Sequence, residues 1–201
     1  MNSKAKLKFV TQGAGLSVAL TLFLFSMAPA FGETQFDWQP PAFEIAEPDG
    51  TVFSYPDNLE GPTIVLFWAS WCPYCKSLMP HLQSIVDEYE GKVEVLALNF
   101  RDEEDPAAYL EEFGYSFRLL AQSDDVAEDW GIKGTPGLFL ADGSGRVVFN
   151  RLAIPKSAYR TGAGAAFEEL KHYQIAARHA PFWAARLRLA LDQLLETAEE
   201  P

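Results

Sequence analysis

Thr63-Ile64-Val65-Leu66-Phe67-Trp68-Ala69-Ser70-Trp71-Cys72-Pro73-Tyr74-Cys75-Lys76 is the stretch that decides how this chain is read. Its first six residues form a continuous run rich in β-formers, apolar from Ile64 on, the pattern of a central strand covered on both faces. Two cysteines separated by two residues follow at once, and they are the only cysteines in the chain. From residue 73 to about 89, apolar side chains recur as Cys75, Met79, Leu82, Ile85, Val86 and Tyr89, which is helical spacing. The pair therefore stands at a strand-to-helix junction. A bridge across two intervening residues closes almost no loop, so it removes little entropy from the unfolded chain, and stapling the fold is a poor account of it.

Working outward, residues 42–45 and 51–54 flank Asp49-Gly50, which predicts a hairpin. Residues 92–100 read as a second buried strand. Pro106 opens a helix over 105–113 that ends at Gly114. A short strand at 117–120 and a short helix at 124–130, stopped by Gly131, follow. Residues 137–141 and 146–150 are strand-like runs joined by Asp142-Gly143-Ser144-Gly145, a second hairpin, so the sheet is mixed. Beyond it the pattern loosens over 151–164, and two helices are expected at 165–177 and 181–197. Within the second, Trp183, Leu187, Leu191 and Leu194 form one stripe. The expected architecture is α/β, a mixed central sheet with helices on both faces, an N-terminal hairpin and an extended helical C-terminus.

The chain has 201 residues and a net charge of −12. Lys4, Lys6 and Lys8 precede an uncharged apolar stretch over about 16–25, and Ala28-Pro29-Ala30 offers small residues for cleavage. Residues 1–30 therefore read as a signal peptide or, uncleaved, as a membrane anchor, since no charge occurs between Lys8 and Glu33. Residues 31–41, with Gln39-Pro40-Pro41, read as a linker. The remainder, roughly 170 residues, suits one domain, placed at 42–201 with an insertion at 151–180 before the closing helix. Losing the three N-terminal lysines makes the chain still more acidic. Nucleic-acid binding is excluded as a role, because no basic stripe is available to neutralise phosphates.

The strand with Cys72-Pro73-Tyr74-Cys75, the helix with Pro80, the strand ending near Asp102 and Gly131-Ile132-Lys133-Gly134-Thr135-Pro136 together resemble the thioredoxin superfamily. Within it they resemble the exported TlpA-like and cytochrome c maturation (DsbE-like) thiol-disulfide oxidoreductases. The resemblance covers some 110 residues in the expected order, from about Pro41 to the Asp142 hairpin. It implies a thioredoxin-like fold, a periplasmic location or one anchored to the outer face of the inner membrane, and partners that are protein disulfides or dithiols with an upstream thiol-disulfide donor. Sequence alone favours a trans bond before Pro136. The resemblance implies a cis bond facing the cysteines, with the Thr135 backbone free to pair with a bound peptide. It also implies that Trp71 covers the site and that Pro73 and Tyr74 tune its potential. Three positions depart from relatives: Leu66 replaces a buried aspartate, Leu78 a glutamate, and Gly137 the glutamate that often follows the loop proline.

A cysteine at a helix start has its thiolate favoured by unpaired backbone N–H groups and the helix dipole, so Cys72 is the expected attacker. Cys75, one turn on and facing the core, is the expected resolving thiol. The alternatives for the pair are a permanent disulfide or half of a zinc site, but His81, His172 and His179 show no paired ligand motif beside it, and no metal or cofactor is expected. Trp68 and Pro80 read as structural. Glu103, Glu104 and Asp105 form a charge run of the kind that is usually a solvated face. The function expected is disulfide reduction or shuttling in partner proteins, in cytochrome c or metal-site maturation. A non-catalytic binding module or chaperone, or a copper-thiol carrier, is the alternative.

Overall fold

The computed structural model describes residues 36–47, 49–155, 157–158 and 170–199, all within a compact unit spanning Thr34–Pro201. The targeting segment expected at 1–30, the start of the linker at 31–35 and the helix start at 165–169 lie outside the described residues. Among the described residues, no helix is long and apolar enough to cross a membrane.

The central sheet has five strands in the order β5-β4-β3-β6-β7. Its middle strand is β3 (Thr63–Trp68), buried at all six positions. Period-two geometry sends Ile64, Leu66 and Trp68 to one face and Val65 and Phe67 to the other, so both faces need cover. β3 pairs in parallel with β4 (Glu94–Asn99), and the helix between them, α1 (Pro73–Glu88), supplies the crossover that parallel pairing requires. β4 pairs in parallel with β5 (Arg118–Leu120) after α2 (Pro106–Phe113). On the other side β3 runs antiparallel to β6 (Gly137–Ala141), which turns into β7 (Val147–Asn150). A separate two-stranded sheet joins β1 (Phe43–Ala46) to β2 (Val52–Tyr55).

One face of the sheet packs against α1 and a long C-terminal helix, α4 (His172–Glu199), with Leu110 of α2 at its margin. The other face is covered by α3 (Asp124–Asp129) and the β1–β2 hairpin. Helices do lie on both faces, as expected. On the second face Trp130 is the hub: its ring sits 5.4 Å from Trp38, 5.3 Å from Tyr55 and 5.4 Å from Phe67.

Two expectations change in detail. Residues 36–41, expected as part of an extended linker, are docked: Trp38 exchanges backbone hydrogen bonds with Val147 (3.2 and 2.8 Å) and its ring joins the second core. The apolar area of Phe36 and Trp38 is what holds this segment down, since a free linker would leave both rings in water. The helix break expected at Pro181 is a correction: α4 runs through it unbroken. Proline forfeits one intrahelical hydrogen bond. Yet Ala176, Ala180, Trp183, Ala184, Leu187 and Leu191 are buried on one stripe that continues across the proline, and Pro181 itself faces solvent. Packing against α1 outweighs the lost bond. The closing helix accordingly begins at His172, and the segment between it and β7 is shorter than the insertion expected over 151–180.

Candidate active site

The strand-to-helix junction places Cys72 as the N-cap of α1, in extended conformation (φ −83°, ψ 113°), with Pro73 in the first turn. Proline suits that position, because its missing N–H is one the helix start leaves unpaired anyway. The Cys75 N–H points back at Cys72 Sγ, 3.4 Å away. Both thiols are unbridged and both are buried, Cys72 at 2% exposure and Cys75 at 0%.

Their electrostatics separate them. The Cys72 thiol is pulled down to about 6, chiefly by the hydrogen bond from the Cys75 thiol; burial opposes this, and the Thr135 side chain and the N–H groups of Cys75 and Tyr74 add to it. Cys75 is pushed well above the ordinary thiol range, first by burial and then by the hydrogen bond to Cys72 and its charge. One thiol is ready as a nucleophile near neutral pH, and the other keeps its proton.

The Thr135–Pro136 bond is cis, Pro136 is buried, and the Thr135 side chain favours the charged form of both cysteines. β6 starts on the next residue and pairs Gly137 with Phe67 of β3. A Cβ at Gly137 would lie 3.2 Å from Phe67 Cβ and 3.4 Å from Ile132 Cγ2. A side chain at this position would require Phe67 and Ile132 to give way by a few tenths of an ångström.

Trp71 is 56% exposed beside the cysteines, and its indole N–H donates to the Arg101 carbonyl at 2.7 Å. It is an open apolar face held in one orientation. Trp68 is fully buried, as expected. Tyr74, between the cysteines, packs its ring 6.1 Å from His179 and 6.2 Å from Trp183, both on α4. Pro80 lies on the exposed side of α1.

Leu66 and Leu78 are fully buried in the same core as the cysteines, so no carboxylate replaces the acids of relatives at those positions. Of the charge run, Asp105 caps α2 by accepting from the Ala107 and Ala108 N–H groups, while Glu103 and Glu104 are exposed.

Sequence reasoning missed the neighbouring Asp102. Its carboxylate accepts from the Ser70 N–H at 2.5 Å, the Ser70 hydroxyl at 2.8 Å and the Asn99 amide at 2.8 Å. Burial alone would raise this carboxyl, but those donors, the Ser70 N–H foremost, hold it below the usual range. It therefore stays ionised and ties the Ala69–Trp71 loop to the end of β4. Tyr109 was missed as well. Its phenol is pushed up to about 12, chiefly by burial, with Tyr115 and Cys75 adding to the shift, and Lys76 Nζ lies 5.4 Å from its ring centre. No motif marks either residue, because the contacts of Asp102 with Ser70 and of Tyr109 with Lys76 join positions about thirty residues apart in sequence. Among the described residues, no group of three or more His, Cys, Asp or Glu is arranged to hold a metal ion.

Comparison with known proteins adds to this geometry. A protein of Paracoccus denitrificans named thiol:disulfide interchange protein DsbE homolog is 38% identical over 91 residues, 44% of this chain and 49% of that protein. The chain thus spans about half the length of that relative. The thiol:disulfide interchange protein DsbE of Allochromatium vinosum is 30% identical over 161 residues, 76% of this chain and 87% of that protein. The thioredoxin domain of a thiol-disulfide oxidoreductase from Bacteroides vulgatus superposes with a TM-score of 0.51 at 23% identity, covering 57% of this chain and 86% of that domain, which shows a shared thioredoxin-like fold. The sequence model of the AhpC/TSA family matches residues 38–150. That match runs from the docked Trp38 to the end of β7 and takes in both cysteines, Thr135 and Pro136: the chain belongs to the AhpC/TSA family.

Proposed function

We propose that this chain is an exported protein thiol-disulfide oxidoreductase that reduces or shuttles disulfides of partner proteins, such as those of cytochrome c or metal-site maturation. The observation that carries the reading is the division of labour in one helical turn, an acidified Cys72 at the helix start and a buried, protonated Cys75 beneath it. The Cys72 thiolate attacks one sulfur of a partner disulfide. A Cys72–partner bond forms and the partner's second sulfur leaves as a thiolate. Cys75 then gives up its proton and attacks Cys72 Sγ, releasing the partner's first sulfur. The partner ends as a dithiol and the chain as a Cys72–Cys75 disulfide, which an upstream dithiol must reduce before the next cycle.

With Leu66 and Leu78 in place of acids, the proton from Cys75 passes to water or to the departing partner thiolate. Thr135 offers its backbone to a bound strand beside the cysteines, and the exposed face of Trp71 supplies apolar contact to the same partner. Lys4, Lys6, Lys8 and the apolar stretch after them support export, followed by residence in the periplasm or attachment to the outer face of the inner membrane.

The test is a redox titration of the chain against a thiol buffer. A single two-electron transition that needs both cysteines supports the reading, and its potential fixes the direction of electron flow. Cysteines that remain reduced across the whole range, or a metal retained in stoichiometric amount, defeat it.

A further inference from the structure

Arg151 stands where the two parts of the site's frame meet. β7 is antiparallel to β6, with Asn150 opposite Phe139, so on leaving β7 the chain runs back along β6 towards Gly137 and Pro136. A short 3-10 turn, Arg151–Ala153, stops the strand there, and the Asn150 side chain caps it by accepting from the Leu152 N–H at 2.8 Å. Arg151 Nη2 donates to the Pro136 carbonyl. The same guanidinium lies over the Trp183 ring, with Cζ 4.6 Å from its centre. Trp183 is 2% exposed and belongs to the core that holds both cysteines. Its ring packs against Tyr74 at 6.2 Å and His179 at 5.3 Å.

One side chain thus links the residue that follows Thr135 to the ring that supports the dipeptide between the cysteines. The planar guanidinium suits this double role. It donates within its plane while its face stacks on the indole, which an ammonium or an amide does not reproduce. The exchange chemistry makes no direct use of this link, and no sequence motif marks it.

We propose that Arg151 is a positioning residue: it holds the Pro136 end of β6 against α4, and so fixes the Thr135 edge offered to a partner's strand beside the cysteines. This rests on the exchange function proposed above. A lost hold leaves the Pro136 carbonyl without the Arg151 donor and lets the Thr135 segment move away from Cys72. Both the thiolate's environment and the docking edge then change, while the cysteines themselves stay in place on α1.

The experiment compares Arg151→Ala, Arg151→Gln and Arg151→Lys in the full chain. Three quantities are measured: the pH of half-maximal alkylation of Cys72 by iodoacetamide, KM and kcat for reduction of a disulfide-bonded peptide, and Tm as a control for general destabilisation. Arg151→Ala should raise the alkylation midpoint by about 0.5–1 unit as the Thr135 side chain, which favours the Cys72 thiolate, moves away. It should raise KM roughly threefold or more with a smaller change in kcat, since a docking edge is what has been loosened. Arg151→Lys should recover part of both effects, because it restores a donor to the Pro136 carbonyl without the stack. Should the alanine variant fail to fold, Arg151→Gln carries the test with shifts in the same direction and of smaller size, because its amide keeps a donor. Variants that lose Tm but keep the wild-type midpoint and KM overturn the assignment. If the wild-type chain exchanges no disulfide, the proposed function fails, whereas the alkylation midpoint still decides the role of Arg151.

Discussion

Cutting Cys75 back to alanine removes the contact that does most to hold Cys72 as a thiolate. The Cys75 thiol is the first cause of the low Cys72 value, ahead of Thr135 and the N–H groups of Cys75 and Tyr74. A hydrogen bond to a charged group is worth about 1.5–3 kcal/mol, and each unit of pKa corresponds to about 1.4 kcal/mol. Losing it should raise the Cys72 midpoint from about 6 to roughly 7–8. At pH 6.5 the thiolate fraction then falls from about three-quarters to about one-tenth for a midpoint near 7.5. Cys75→Ser keeps a donor in nearly the same place, and its midpoint should stay within about half a unit of wild type. The Cys75 N–H, 3.4 Å from Cys72 Sγ, is present in both variants, so they differ only in the side-chain donor. The assay is the rate of iodoacetamide alkylation of the reduced chain as a function of pH. Cys75 stays protonated through this range, so the wild-type signal belongs to Cys72. An alanine variant with the wild-type midpoint, or a serine variant displaced as far as alanine, would refute the reasoning.

Three further outcomes are expected. The reduced chain should gain stability between about pH 6 and 8.5, because over that window the unfolded Cys72 keeps a proton that the folded one has lost. The gain is complete above the unfolded value and vanishes as pH falls through about 6, and above about 8.5 Cys75 reverses the slope because its folded value is raised. Denaturant titrations of wild type against Cys72→Ser should show this difference, and parallel pH profiles would contradict it. Asp102→Ala strips the acceptor from Ser70 and Asn99 and should lower unfolding stability by about 2–3 kcal/mol; a loss below about half a kcal/mol by denaturant titration would mean the Ala69–Trp71 loop is held by other contacts. Gly137→Glu drives a Cβ to within 3.2 Å of Phe67 and should cost about 1–3 kcal/mol by the same measurement, whereas an unchanged midpoint would show that β6 yields at no cost.

The strands and helices around the cysteines were legible because each carries its own local signal. Five consecutive apolar residues after Thr63 fix β3, the spacing of Cys75, Met79, Leu82 and Ile85 fixes the buried side of α1, and Asp49-Gly50 and Asp142-Gly143 mark the two hairpins. The places of Cys72 and Cys75 were legible for the same reason, since the strand-to-helix junction puts one thiol at the N-cap and the other, one turn on, facing the core. What stayed hidden is non-local. Trp38 pairs with Val147, Asp102 with Ser70 and Arg151 with Pro136, and no spacing rule connects residues that meet only after the sheet has formed. Pro181 misled because a proline is read as a helix start, while the apolar stripe from Ala176 to Leu191 that overrides it is a matter of packing against α1. The cis bond at Pro136 came from family resemblance, and local sequence pointed to trans.

The central claim is that Cys72 attacks and Cys75 resolves. It is tested most directly by mixing the Cys72→Ser and Cys75→Ser variants separately with a disulfide-bonded protein substrate and weighing the products by intact mass spectrometry under denaturing, alkylating conditions. The account predicts that Cys75→Ser accumulates a mixed disulfide through Cys72, sensitive to reductant, while Cys72→Ser forms none and turns nothing over. Equal trapping by the two variants, or trapping through Cys75 alone, would contradict it.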